Sequence, residues 1–413
     1  MRLLDSYLKE NYSNIHKLHL SSGIPETTLR TLNKKPFSMW SIKLLRSLST
    51  HLGKELSIVI SDLDERDVLG SKNLNMLHGK FSLSNRRYIG SKTKLVPWIV
   101  ECVTANTIGT SFFDVFAGTG IVTESFLEKY EKVYLNDFLT SNYIIYKAFF
   151  DNESYDAMKI KFLKGEFQKL VPEKLEGNYF SENFGNKFFS MNDSKIIGEI
   201  RSRIEANQNI NSKEKSILIA SLLYSADKVA NTVGHYDAYR KNTTLHDRFS
   251  FDLIQPHNLK GKSVFIFNKD ANVLVDDVEA DIAFIDPPYN SRQYSRFYHV
   301  LENLAKWMKP SLEGVALKPP RENMSAYSRT EAPEVFNDLI KRLRCKYIVV
   351  TYSNNYSSKS NSSKNKITHT QIFESLNSVG KTKIFEKEHN FFNAGKSSLY
   401  NLKEFLFITK VGK

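Results

Sequence analysis

Residues 281–290 read DIAFIDPPYN, and the change of character within this stretch decides the architecture. Asp281–Asp286 reads as a strand. Two adjacent prolines then end it, because neither can donate to a ladder and both lock the backbone in extended geometry. A rigid corner at the C-terminal end of a strand lies where open α/β sheets bind ligands. Asp286 offers a carboxylate acceptor, Pro287 a carbonyl free of competing local turns, and Tyr289 a flat face. Two acceptors and one stacking plane suit the exocyclic amino group of a planar base. Asp286, Pro287, Pro288 and Tyr289 are therefore the candidate catalytic group. The plainer reading is a Pro-Pro turn that only terminates a strand.

Outward from this corner the pattern alternates. Strands are expected at Ser111–Ala117, Lys132–Asp137, Ser263–Asn268, Lys346–Ser353, Lys381–His389 and Leu402–Lys410. Helices are expected at Ile121–Tyr130, from after Asp137 to about Phe150, at Tyr294–Trp307 and near Thr368–Asn377. Strands alternating with helices predict an α/β layer with a mostly parallel sheet. The last two strands, with no helix between them, should pair antiparallel at one edge. Residues 151–261 interrupt the alternation, are rich in helix signals and aromatics, and read as an inserted domain.

The stretch DVFAGTG at 114–120 again leads from a strand through glycines into a helix. The glycines permit a sharp turn and a close ligand approach. The sequence lacks the third glycine of a dinucleotide fingerprint, which is Thr123 here, and the Gly-Lys-Ser/Thr of a phosphate loop. That points to a cofactor without phosphates. Asp137 closes the strand that follows this turn, where an acid can hold a ribose diol or simply cap a helix. A third motif, RRYIGSKTK at 86–94, can close over one side of a small charged ligand.

Composition sets the outer limits. Basic residues outnumber acidic ones, 58 to 45, a net charge of +13 that favours an anionic partner. The charge is uneven: residues 1–60 carry nine Lys/Arg against four Asp/Glu, residues 341–400 eleven against three, and residues 151–261 sixteen against fifteen. Two distant cysteines, Cys102 and Cys345, exclude a disulfide framework and a cysteine zinc site, and no metal site is expected. No apolar run reaches the roughly 18 residues of a membrane span, and Met1–Glu10 lacks a signal-peptide core, so a cytoplasmic protein without membrane association is expected. Ser353–Lys366 is polar and basic and reads as a mobile loop. Residues 61–84 read as a linker.

Residues 1–60 read as all-helical. Asn14–Ser22 forms a short amphipathic helix with Ile15, Leu18 and Leu20 as its apolar positions. Gly23 turns the chain and Pro25 suits the first position of the next helix, Pro25–Asn33, which buries Leu29 and Leu32 and exposes Thr27, Thr28 and Arg30. A third helix covers Met39–Leu52. Two short helices about a glycine turn form a helix-turn-helix pattern, with an ordinary three-helix packing unit as the alternative.

The order RRYIGSK, DVFAGTG, LND, long insert, DPPYN resembles the Dam-like, adenine-specific DNA methyltransferases of restriction–modification systems, in their alpha-type arrangement. The resemblance covers roughly 85–413. It extends to NYFSENF at 178–184, FFS at 188–190, ANTVGHY at 230–236 and SRQYSR at 291–296. It implies a Rossmann-like methyltransferase sheet carrying an inserted helical target-recognition domain, with the small all-α head as an addition. The expected domains are 1–70 (head), 71–150 (cofactor part), 151–261 (recognition) and 262–413 (catalytic part).

The resemblance implies S-adenosylmethionine as cofactor. Tyr88, Gly90 and Lys92 would close over its methionine side. Phe116, Gly118 and Gly120 would line its body, with Asp114 near the amino-acid moiety, Asp137 on the ribose and Asp270 facing the adenine. The partner would be double-stranded DNA, with a cognate restriction endonuclease acting on the same site. Candidates for DNA contact are Thr27, Thr28, Arg30, His235, Tyr236, Arg240, Lys241, Arg292 and Arg296. Broader phosphate attraction would come from the 341–366 region. An N4-cytosine methyltransferase would usually carry Ser before Pro-Pro-Tyr, so Asp286 tilts towards adenine. An RNA amino-methyltransferase and a DNA-binding regulator that uses the head remain alternatives. Neither cysteine lies in a Pro-Cys motif, which argues against carbon-5 cytosine chemistry.

Overall fold

The computed structural model describes residues 3–11, 13–33, 39–60, 62–63, 81–259, 261–353, 366–388 and 403–412. The expected linker and the basic loop fall largely outside these residues, at 64–80 and 354–365. The chain divides into two compact units, Met1–Leu77 and His78–Lys413.

The first unit contains the helices Leu3–Glu10, Ile15–Ser22, Glu26–Leu32 and Ile42–Leu52. Asn14 caps the second of these by accepting from the Lys17 amide, and Gly23 ends it at φ 70°. Pro25 precedes the next helix as its N-cap rather than occupying its first position. Ile15, Leu18 and Leu29 join a core with Leu44 and Leu48, while Leu32 packs at its edge. Leu20 departs from the expectation: it is 69% exposed. It falls off the Ile15/Leu18 stripe of its helix, and so short a helix buries only that stripe. Thr27, Thr28 and Arg30 stand on the exposed side opposite Leu29, and Arg30 pairs with Glu26 at 3.2 Å.

The second unit is built on a seven-stranded sheet. Its strands are β1 (Ser111–Asp114), β2 (Lys132–Asn136), β3 (Ser263–Phe267), β4 (Ile282–Ile285), β5 (Tyr347–Ser353), β6 (Gly380–Glu388) and β7 (Lys403–Val411). The order is β3-β2-β1-β4-β5-β7-β6. The first five strands are parallel, whereas β7 runs antiparallel to both β5 and β6. The antiparallel pair at one edge is thus as expected. Alternate residues feed two layers. Phe113, Val115, Ala283, Ile285, Ile348 and Val350 pack against the helices Ala332–Arg342 and His369–Asn377. Phe112 turns the other way, onto Phe126 at 4.5 Å and Tyr130 at 5.4 Å.

The helices Val96–Asn106 and Ala332–Arg342 were not anticipated; each begins with a proline in its first turn, a start signal that strand-by-strand reading passes over. The expected helix Tyr294–Trp307 is two helices, Tyr294–Phe297 and His299–Lys306, because Tyr298 takes φ −114°, ψ 23° between them. Between β2 and β3 lie Thr140–Phe150 and then Ala157–Gln168, Tyr179–Phe184, Met191–Ala206 and Ser212–Val229. The last of these packs along Thr140–Phe150, so the inserted helices share the core of the sheet unit. Arg201, 2% exposed, donates to the Leu304 and Ala305 carbonyls and so caps the helix His299–Lys306 from the insert.

Asp281 anchors the entry to the central strands. Its Oδ2 accepts from the Thr110 and Ser111 amides at 2.7 and 3.1 Å, and Lys346 pairs with its other oxygen at 2.7 Å. These donors hold the carboxyl well below its ordinary pKa despite partial burial. A lowered pKa means the contribution is present above the ordinary carboxylate range and is lost as pH falls through it. Asp281→Ala leaves the Thr110 and Ser111 amides without their acceptor, and a loss of about 1–3 kcal/mol in unfolding free energy is expected from urea denaturation at pH 7. The difference from the parent chain should shrink when the measurement is repeated near pH 3.

Candidate functional site

Strand order reverses between β1 and β4, and that is where an open α/β sheet leaves a crevice at its C-terminal edge. The Val115 amide donates to the Phe284 carbonyl at 3.0 Å, so the 114–120 turn and the 286–290 corner leave the sheet side by side. Asp137 and Asp270 follow β2 and β3 at the same edge. Four segments that lie far apart in the sequence thus converge.

The glycine turn is held from several sides. Gly118 and Gly120 take φ 54° and 79°, a region open to glycine at no steric cost. The Gly118 amide donates to Asp137 Oδ2 at 2.9 Å, and the Leu139 amide donates to Asp137 Oδ1 at 2.8 Å. Asp137 is therefore both a helix-start acceptor and a brace for the turn. The Gly118 carbonyl accepts from Arg86 at 3.1 Å and from the Tyr146 hydroxyl at 2.7 Å. A Cβ on Gly120 would come within 3.1 Å of the Tyr146 ring. Tyr88 stacks on Tyr298 with centroids 4.8 Å apart, and Tyr294 lies 5.3 Å from Tyr88. Gly90, at φ 82°, lets the backbone pass the Tyr294 hydroxyl, which a Cβ would meet at 3.3 Å. Phe116 lies edge-on to Tyr327 at 4.9 Å. Asp270 spends one oxygen capping the short helix Ala271–Leu274, accepting from the Asn272 amide at 2.9 Å.

Asp114 is the most unusual group of this cluster. It is 1% exposed, and its Oδ2 accepts from the Thr123 hydroxyl at 2.7 Å. Its Oδ1 is buried without a hydrogen-bond partner among the described residues. Burial raises its carboxyl to a pKa of about 7, against the opposing pull of the Thr123 bond. Asp137 is raised to about 6, again chiefly by burial.

At the corner, two donors converge on one oxygen of Asp286. Lys92 Nζ lies 3.0 Å from Oδ1 and Thr351 Oγ1 donates to the same atom at 2.8 Å. No donor among the described residues reaches Oδ2, and the side chain is 19% exposed. Lys92 also pairs with Glu404 on β7 at 3.2 Å. Burial alone would lower the lysine's pKa, but the two carboxylates outweigh it and hold the ammonium above its ordinary value. Tyr289 donates its hydroxyl to the Thr351 carbonyl and sets its ring edge-on to Tyr352 at 4.9 Å. Thr351 thus fixes both named residues of the corner. Neither Thr351 nor Glu404 stood out in the sequence, since a lone threonine or acid in a strand carries no local mark of its partner.

The candidate DNA contacts scatter. Arg240 and Lys241 are exposed. His235 leans on Phe297 at 4.7 Å. Arg292 lies over the Phe297 ring at 5.8 Å, and Arg296 donates to the Pro319 carbonyl, which leaves both partly committed. Tyr236 is a correction. It is 1% exposed, donates its hydroxyl to Asp227 at 2.9 Å and its amide to the Phe297 carbonyl at 2.7 Å, and so serves the interior rather than a duplex.

Residues 88–391 match the model of a family described as D12 class N6 adenine-specific DNA methyltransferase. The modification methylase StsI of Streptococcus sanguinis is 34% identical over 65% of this chain and 44% of its own length. The type II methyltransferase M.NlaIII of Neisseria lactamica is 30% identical over 76% of this chain and 95% of its own. M.CviAII of Paramecium bursaria Chlorella virus 1 is 31% identical over 78% and 98%. The chain spans less than half the length of StsI and of the similarly related LlaI and M.FokI methylases.

The partnerless oxygen of Asp114 makes its titration a direct readout of the site. Carbon-detected NMR of labelled aspartate should give a midpoint near pH 7 for this carboxyl. Thr123→Val removes the hydrogen bond that favours the ionised form and should move the midpoint upward.

Proposed function

We infer the activity from one premise: the chain belongs to the D12 class N6 adenine-specific DNA methyltransferase family. The reading is a site-specific DNA adenine methyltransferase that transfers a methyl group from S-adenosylmethionine to the N6 amino group of a flipped adenine. The observation that carries it is the state of Asp286, whose Oδ1 is fixed by Lys92 and Thr351 while no donor among the described residues occupies Oδ2.

The residues fit the cofactor that the family implies. The buried, partnerless Asp114 oxygen suits a cationic amino group, and nothing in the turn is built for phosphate. Tyr88, Gly90 and Lys92 would hold the methionine side, Phe116, Gly118 and Gly120 the body, Asp137 the ribose and Asp270 the adenine ring. When bound, the cofactor would supply a sulfonium-activated methyl carbon, which an amine nitrogen can attack in line as the S–C bond breaks and the neutral thioether leaves. The chain's own part is to bring the amine there. A base inside a duplex keeps its amino group in the stack, so the target is extruded. Tyr289, anchored through its hydroxyl, offers the ring on which the base lies. Asp286 Oδ2 and the Pro287 carbonyl accept the two amino hydrogens and turn the nitrogen lone pair out of conjugation. Pro287 and Pro288 keep these acceptors from drifting, and alignment supplies much of the rate. Asp286 need not be a strong base, because the amine becomes far more acidic once methylated.

DNA is held, in this reading, by Arg240, Lys241, His235, Arg292 and Arg296, with residues 151–261 reading the sequence. The helix Glu26–Leu32 adds a second contact through Thr27, Thr28 and Arg30, as a helix-turn-helix head. The relatives named as modification or type II methyltransferases support a role in protecting DNA from a cognate restriction endonuclease in the cytoplasm. No helix among the described residues is long and apolar enough to cross a membrane.

Tritiated methyl transfer to plasmid DNA followed by nucleoside analysis tests the reading. N6-methyladenine is expected; N4-methylcytosine, or label taken up only by RNA, would overturn it. Asp286→Ala should abolish transfer while leaving cofactor affinity within about threefold. Tyr289→Ala should lower turnover about ten- to a hundredfold, the worth of one base–aromatic stack. Because Asp114 must be ionised to meet a cation, cofactor affinity measured by calorimetry should weaken as pH falls below about 7, by up to about tenfold per pH unit. Asp114→Asn should flatten that dependence.

A further inference from the structure

We propose that Glu404 is a positioning residue for this reaction: by sharing the Lys92 ammonium with Asp286, it keeps that cation on Oδ1 and leaves Oδ2 for the target amine. The proposal rests on the methyltransferase reading. In the antiparallel pairing of β5 with β7, Ser353 faces Glu404 and Thr351 faces Leu406. Residues two apart on a strand share a face, so Thr351 and Glu404 serve the same side of the sheet. Lys92 enters from the segment before the helix Val96–Asn106 and meets Asp286 at 3.0 Å and Glu404 at 3.2 Å. Glu404 is 2% exposed. A carboxylate taken that far from water is destabilising unless a cation meets it, so its presence calls for a reason.

The geometry supplies that reason. With Asp286 as its only counter-ion, the Lys92 ammonium would swing freely about that carboxylate and could cover both oxygens. Tethered to Glu404 as well, it is confined to the Oδ1 side, where Thr351 already donates. The groups facing Lys92 are Asp286 at the end of β4, Glu404 on β7 and the Tyr294 hydroxyl from the helix after the corner. The Tyr289 hydroxyl lies within reach of the field of both carboxylates.

The test uses the full chain as Glu404→Gln, Lys92→Met and the double variant. Glu404→Gln keeps the volume and removes the charge. Its kcat should fall about tenfold or more, with KM for DNA and for S-adenosylmethionine within about twofold of the parent. In the Lys92→Met background the same change should cost nothing further, since Glu404 acts only through that lysine. A readout without turnover is the pH midpoint for acylation of Lys92 by acetic anhydride, followed by peptide mass spectrometry in the ligand-free protein. It should drop in Glu404→Gln, because one of the two anions that favour the ammonium is gone. A kcat within twofold of the parent, an equal loss in both backgrounds, or an unmoved Lys92 midpoint would each overturn the proposal. If the parent chain transfers no methyl group to DNA, the methyltransferase reading fails, and the Lys92 midpoint alone still decides whether Glu404 holds that lysine.

Discussion

The parallel pairing of β1 with β4 governs how the glycine turn and the proline corner stand to each other. These two strands leave the sheet on opposite crossovers, which opens a crevice between their C-terminal ends. The Val115–Phe284 bond fixes how far each strand runs before it turns, and therefore where Asp114, Gly118 and Asp286 stand relative to one another. Asp281 fastens the opposite end of the same pair by collecting the Thr110 and Ser111 amides. Gly109 must remain without a side chain for this to happen, since a Cβ there would lie 2.3 Å from the Asp281 Cβ. A clamp at one end and a crevice at the other are two consequences of one register.

Electrostatics in the crevice runs against the chain as a whole. The sequence carries a net charge of +13, yet Asp114, Asp137, Asp286 and Glu404 gather around the turn and corner with Lys92 and Arg86 as the nearby cations. Burial raises Asp114 and Asp137 to about 7 and 6, so each is poised near neutrality and sensitive to a cation brought close. A negative recess within a basic protein suits a cationic donor inside and a polyanion outside. Neither preference requires the other residues to move.

The strands, the two strand-to-turn motifs and the antiparallel edge were legible because each is written locally: an apolar run, then prolines or glycines that cannot continue it. Asp137 shows the limit of such reading: the sequence offers it a ribose or a helix cap, whereas its carboxylate braces the glycine turn and accepts the Leu139 amide just ahead of the helix. The Lys92–Glu404 pair shows it more sharply, for one member lies in a motif before the first strand, the other on the last strand, and nothing local in either marks the other as its partner. Tyr236 misled for a related reason. An aromatic beside a histidine in a polar stretch resembles an exposed contact, but its hydroxyl answers Asp227, a residue on a neighbouring helix. Leu20 and Tyr298 failed on geometry: one falls off a narrow helical stripe, the other breaks a helix whose pattern appears continuous.

Tyr236 then takes on a different meaning. Its amide holds the Phe297 carbonyl, at the end of the short helix that follows the corner. Its hydroxyl meets Asp227, whose other oxygen accepts from Arg87 at 3.3 Å, directly before Tyr88. Glu302, on the next helix, accepts the Thr140 and Ser141 amides at the start of the helix that follows β2. The insert is therefore tied by short bonds to the segment over the glycine turn and to the elements behind the corner. Under the proposed reading, a displacement in residues 227–241 on meeting DNA cannot stay local. It would be passed through Tyr236 and Asp227 towards Phe297 and Tyr88, because Tyr236, itself buried, holds both the Phe297 carbonyl and Asp227. Recognition and alignment of the reacting groups then share one set of hydrogen bonds, which is a physical route for making the reaction depend on the right sequence.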